Sequence, residues 1–198
     1  MEFNLVSFLY LFFRLAPFII VSSFTLNSVL NLDLKGLIYL VGILFACFVT
    51  TMVSSAFPFS SSSAVCNMFT LTGTGQPISS IPLGQVVLSY TFAYLITIII
   101  SYNDKEDSMI KKNVATFIIF PALILADFFW SLKNGCASFQ NLCIAFIIGG
   151  GIGALWATVL DKSKMFEMQY FNGISNREVC NRPAKNIFRC KYTNPSKK

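Results

Sequence analysis

The chain contains no histidine, and only 12% of its 198 residues are charged. Soluble domains carry roughly 25% charged residues. The absence of imidazole removes the commonest general base and a principal metal ligand. Lipid phosphatases that use a histidine nucleophile, Ser/His intramembrane proteases and zinc metalloproteases are therefore poor descriptions. The scarcity of charge is uneven. Residues 36–103 include no Lys, Arg, Asp or Glu at all. What is abundant is apolar: 55% of residues are hydrophobic, and the mean hydropathy is +0.64. Charges gather in short islands between long apolar runs, the pattern of an integral membrane protein. Phe, at 21 residues, suits lipid-facing and helix-packing surface but names no ligand.

The runs predict an all-α membrane protein, a bundle of about five transmembrane helices. The expected spans are 5–29, 37–54, 83–101, 114–130 and 142–160, making residues 1–162 a transmembrane domain. Arg14 and Pro17 interrupt the first run, which lacks a small-residue cleavage site and is expected to be retained. Pro121 falls inside the fourth and is expected to kink it. Between the second and third runs lies a neutral linker, 55–81, of Ser, Thr, Gly and Pro. It reads equally as a re-entrant element or as a structured surface loop. Its Thr70-Leu-Thr-Gly-Thr-Gly-Gln-Pro segment lacks the Lys of a phosphate-binding loop and is turn chemistry. Residues 163–198 form a polar, basic tail. Two alternating stretches there, 177–180 and 187–192, flank residues 181–185 and predict a small β-hairpin. An isolated hairpin needs a disulfide, a partner or the membrane surface to hold it.

Counting Lys and Arg by side predicts the orientation. With five spans, one face receives Lys35, Lys105, Lys111, Lys112 and every basic residue from Lys162 onward; the other receives only Lys133. Positive residues favour the cytoplasmic side, so the tail belongs there and the N-terminus on the opposite face.

Three groups of residues stand out. Ala145, Gly149, Gly153 and Ala157 recur every fourth position in the fifth span, the spacing that lets helix backbones approach closely. Packing within the chain is the leading reading, with homo-oligomer contact second. Arg14 and Asp127 are the charges placed inside apolar runs. Such charges are expensive, and an ion pair fixing helix packing is the leading expectation. Among the six cysteines, Cys47 is expected simply to be packed. Cys136 and Cys143 are candidates for one disulfide, on the face opposite the tail. Cys180 and Cys190 are candidates for another across the hairpin, although the charge rule places them on a side usually kept reducing. The sequence indicates no metal site, no cofactor and no catalytic group. The isolated Asp127 has no acidic partner within the spans, which counts against an enzyme. The tail's Lys and Arg with interleaved Phe188 and Tyr192 could contact lipid headgroups or, less in keeping with the pattern, nucleic acid, but a solvated basic tail is the leading reading. As an interaction module it would meet a protein layer, lipid headgroups or core.

Four stretches stand out together: Ile78-Ser-Ser-Ile-Pro-Leu-Gly-Gln, Ala126-Asp-Phe-Phe-Trp, the glycine run of the fifth span, and Glu178-Val-Cys-Asn-Arg-Pro-Ala-Lys-Asn-Ile-Phe-Arg-Cys-Lys. In these the chain resembles small multi-pass membrane proteins of nucleocytoplasmic large DNA viruses. The resemblance implies a structural protein of the internal membrane beneath an icosahedral capsid, with capsid or core proteins as partners. It also implies a virus-encoded thiol oxidase, which would reconcile a Cys180–Cys190 bond with the side of the tail. It supplies no catalytic residues. The rival reading is a small channel or transporter with residues 55–81 re-entrant.

Overall fold

The computed structural model describes residues 5–30, 32, 34–57, 79–103 and 109–163. The linker residues 58–78 and the tail residues 164–198, with the expected hairpin and Cys180 and Cys190, lie outside the described residues. Within them every regular element is helical: α1 (Leu5–Leu30), α2 (Lys35–Ser54), α3 (Leu83–Asn103), α4 (Met109–Lys112), α5 (Val114–Lys133) and α6 (Phe139–Lys162). Uninterrupted apolar sequence favours helix because a helix satisfies its own backbone polar groups, which hydrocarbon does not. Four helices, α2, α3, α5 and α6, are long and apolar enough to cross a membrane. The shortest of them, at 20 residues, is about 30 Å long, the thickness of a bilayer's hydrocarbon core. α1 adds a shorter apolar stretch, Leu15–Leu30. α4 is a single turn within the charged island between α3 and α5, a segment not expected to be helical.

The helix ends have local causes. The Ser138 side chain caps α6 by accepting from the Asn141 backbone N–H at 3.1 Å, so the helix starts at Phe139 rather than near residue 142. α5 runs one turn past Trp130 to Lys133 and ends in a Schellman motif. There Gly135 takes φ +63°, its N–H reaches Leu132 O at 3.1 Å, and the Cys136 N–H reaches Ser131 O at 2.9 Å. Gly135 supplies the left-handed residue that this turn requires. The corresponding role between α1 and α2 falls to Leu32, at φ 54°. Pro17 lies inside α1 and Pro121 inside α5.

α3 is the centre of the bundle. Half of its apolar window is buried (50%), against 11% for α5, so α5 is peripheral. α3 touches every other helix of the bundle and packs most extensively against α6. α2 also packs on α1 and α6, and α1 touches α5. Hydrogen bonds at the two ends fix the up-and-down order. At one end Ser80 Oγ donates to Ser54 O (3.0 Å) and Asn141 Nδ2 donates to Ser80 O (3.0 Å), joining α2, α3 and α6. At the other, Ser101 Oγ donates to Asp161 Oδ2 (2.7 Å) and the Gly36 N–H donates to Ser28 Oγ (3.0 Å). Lys133 is at the first end, and Lys35 and Lys162 are at the second. The outer surface carries large apolar side chains, among them Leu44, Phe48, Ile118, Phe129, Ile147 and Leu155. Water would penalise that surface, whereas lipid chains would not.

Candidate functional site

The seam where α3 meets α6 and α2 gathers most of the buried polar and aromatic groups. It begins with the small residues of α6. Ala145, Gly149, Gly153 and Ala157 are all buried, on one face of that helix. A Cβ at Gly149 would run into Val86 O and the Ser89 hydroxyl, and one at Gly153 into Tyr90 O. The strip therefore packs against the α3 backbone within the chain. Gly150 and Gly151 are different: a Cβ at Gly150 would only touch Ala93 Cβ at 4.0 Å, and one at Gly151 would meet nothing within 4 Å.

Across the seam, Tyr39 of α2 and Tyr90 and Tyr94 of α3 form a fully buried aromatic cluster. Tyr90 and Tyr94 stack with centroids 6.0 Å apart, and Tyr39 lies 5.8 Å from Tyr90 and 5.5 Å from Tyr94. Phe24 of α1 meets Tyr39 edge-on at 5.1 Å, which brings α1 into the cluster. Such ring pairs contribute about 0.5–1.5 kcal/mol each beyond area burial. The polar tips are handled unequally. The Tyr39 hydroxyl hydrogen-bonds the Thr91 hydroxyl at 2.6 Å, and Trp156 Nε1 of α6 donates to Ile38 O of α2 at 3.2 Å. Tyr90 Oη presses against Gly42, where a Cβ would collide with it, and finds no hydrogen-bond partner. Both amide atoms of the fully buried Gln85 also lack one.

Several hydroxyls along these helices also bond their own backbone. Ser89 donates to Gln85 O (2.8 Å), Thr91 to Val87 O (2.7 Å), Thr97 to Ala93 O (2.8 Å) and Thr50 to Ala46 O (2.8 Å), and Ser89 Oγ also lies 3.4 Å from Ala145 O of α6. Bonding of this kind lets polar residues sit in an apolar interior.

Arg14 and Asp127, the candidate ion pair, lie on helices that touch. Arg14 belongs to α1 and the half-buried Asp127 to α5. At 1.5 Å per residue, Arg14 is about 14 Å along the axis from the start of α1 and Asp127 about 9 Å from the end of α5. The Arg14 side chain lies outside the described residues.

The cysteines require a correction. Cys136 is disulfide-bonded, whereas Cys143 is a free thiol, so the expected Cys136–Cys143 pair does not form. The reason is local: the Ser138 cap starts α6 early and carries Cys143 into the helix, away from the turn that holds Cys136. Cys47 is likewise free, half-buried in α2. Among the described residues no group of three or more His, Cys, Asp or Glu is placed to hold a metal.

Sequence reasoning missed the tyrosine cluster and Gln85. One signal was available: α3 carries Gln85, Ser89, Tyr90, Thr91, Tyr94 and Thr97 in a run of otherwise apolar residues. A span decorated with polar groups on several faces belongs inside the bundle rather than against lipid. No protein-family model matches the chain, and no curated protein or solved structure matches it either.

Proposed function

We propose that the chain is a non-enzymatic, multi-pass membrane protein with a structural or assembly role. α1 serves as a fifth span, and the basic tail contacts a protein layer, lipid headgroups or a nucleoprotein core. The observation that carries this reading is the closed α3 seam. Its glycines bring the α6 backbone onto α3, its tyrosines fill the space toward α2, and its hydroxyls turn back to their own carbonyls. Side chains used in this way make a rigid scaffold. An Arg14–Asp127 ion pair holding α1 to α5 belongs to the same reading. So does the orientation, with Lys35, Lys162 and the tail on the cytoplasm-equivalent side. In this reading the membrane is a virion internal membrane, which the resemblance of residues 78–85, 126–130 and 178–191 to proteins of large DNA viruses would imply. Capsid or core proteins, and other copies of the chain, are then its partners.

A small channel or transporter with a re-entrant 55–81 linker is the second reading. One observation favours it: the Gln85 amide, buried in α3 with no hydrogen-bond partner, is the kind of polar group that a permeation path would use. The test is reconstitution of the full chain into vesicles loaded with ion- and pH-sensitive dyes, beside lysine cross-linking in native membranes. The scaffold reading expects no flux above empty vesicles and tail-dependent cross-links to a soluble protein. Flux that Gln85→Leu alters would replace it with the transport reading.

A further inference from the structure

We infer that Gln85 and Asp127 form a concealed polar site between α3 and α5, which water enters from the α5–α6 turn when the last half of α5 swings away from α3. The site rests on the membrane reading above, whichever of the two functions holds.

Its register comes from one contact. Phe92 of α3 stacks on Phe120 of α5 with ring centroids 6.3 Å apart. The two helices run in opposite directions, because α3 starts and α5 ends at the face that holds the Ser54–Ser80–Asn141 hydrogen bonds. One turn back along α3 and one turn on along α5, Leu88 is level with Ile124, and both are buried. A second turn brings Gln85 level with Asp127 on the same two faces. The burial of α5 agrees. Phe120, Ile124, Asp127 and Ser131 form one stripe of that helix, and its buried residues, Ile124 and Ser131, both belong to it. Asp127 is half-buried between them, on the side turned to α3. It makes contacts of its own, and the site does not depend on its being free.

Gln85 is the group that the closed seam leaves unserved. It is fully buried, and neither its amide nitrogen nor its amide oxygen has a hydrogen-bond partner. An amide buried in this way disfavours the closed arrangement, and contact with water removes the penalty. A bundle opens first where its elements are least held. α5 is the least buried of the four spans and packs on α3 and α1. Pro121 directly follows the stacked Phe120, and proline has no N–H to bond the preceding turn. The half of α5 beyond it can pivot there while the Phe92–Phe120 stack stays in place. Asp127 is about 9 Å along the axis from the end of α5, so an opening from the Lys133 end reaches both polar groups without parting the whole seam. Water then serves both ends of the Gln85 amide and meets the Asp127 carboxylate.

The test uses the full chain in sealed vesicles, with a reporter thiol at one of two places in α5. Ile124→Cys faces α3 one turn deeper than Asp127, and Leu125→Cys is exposed on the outer surface. A charged, membrane-impermeant methanethiosulfonate, which reacts with thiols in water, is added from the Lys133 side, and the labelled peptide is identified by mass spectrometry. Ile124→Cys should label and Leu125→Cys should not. Gln85→Met removes the polar group that favours opening, and should slow the labelling of Ile124→Cys by about 5- to 150-fold. No labelling of Ile124→Cys, or a rate that Gln85→Met leaves unchanged, overturns the site. Labelling of Leu125→Cys would remove the membrane reading and the site with it. Hydrogen exchange on the chain without a reporter covers the case in which Ile124→Cys does not fold. Residues 122–133 should exchange faster than residues 114–120, and Gln85→Met should slow them; equal protection of the two halves overturns the pivot.

Discussion

Two pairs of neighbouring glycines in α6 should respond in opposite directions to the same substitution. Gly149→Ala and Gly153→Ala each place a methyl group against the α3 backbone, at Val86 O and Tyr90 O respectively. Backbone is the least movable neighbour, so α3 and α6 must separate. Overpacking of this kind costs about 1–3 kcal/mol, against which alanine regains about 1 kcal/mol of helix propensity. Separation also loosens the α3 contacts along the whole seam, so the net loss should lie near the upper part of that range, about 2 kcal/mol. Gly150→Ala makes only an ordinary contact with Ala93 and Gly151→Ala meets open space, so both keep the propensity gain, about 0.5–1 kcal/mol. The two classes should therefore differ by about 2–3 kcal/mol, roughly 4–12 °C in Tm for a chain of this size. Thermal unfolding of the four variants in one detergent measures this. Equal Tm values for all four would refute the close α3–α6 approach. If Gly149→Ala and Gly153→Ala left Tm unchanged but dissolved an oligomer, the strip would belong to an interface between copies.

Three further outcomes follow from the same geometry. Gln85→Met removes a buried amide with no partner and should raise stability by about 1–3 kcal/mol; a loss in the same unfolding assay would mean that the amide is bonded in the working protein. Ser138→Ala removes the α6 cap and should cost about 1 kcal/mol, whereas Ser138→Asp, which keeps an acceptor, should cost little. Arg14→Gln and Asp127→Asn should each destabilise, with the double variant no worse than either single; strictly additive losses would exclude the ion pair.

How much of this was legible beforehand depended on which force decided each feature. Exclusion from water fixes where a span lies, and runs of apolar residues display it directly: α2 and α3 begin and end within two residues of the expected spans. Ends set by single hydrogen bonds were less visible. The Ser138 cap and the Gly135 turn each moved a boundary by about one turn, and the first of these also spoiled the Cys136–Cys143 pairing. The glycine strip was readable from its spacing, but its partner was not, because nothing in α6 says which neighbour it faces. Tyr39 meets Tyr90 and Tyr94 only after α2 docks on α3, and two turns of register either way would leave the same sequence pattern. Gln85 carried no sequence signal of its own, yet the approach of the neighbouring helices buries it completely.

The central claim is a bundle that crosses a membrane, with the α5–α6 turn on one face and the basic tail on the other. The most direct test uses two variants in sealed vesicles of known orientation, each with one cysteine in a cysteine-free background: Cys136 alone and Cys190 alone. A membrane-impermeant maleimide is added before and after permeabilisation. The account expects Cys136 to label from the non-cytoplasmic side and Cys190 only from the cytoplasmic side. Labelling of both from the same side would contradict it.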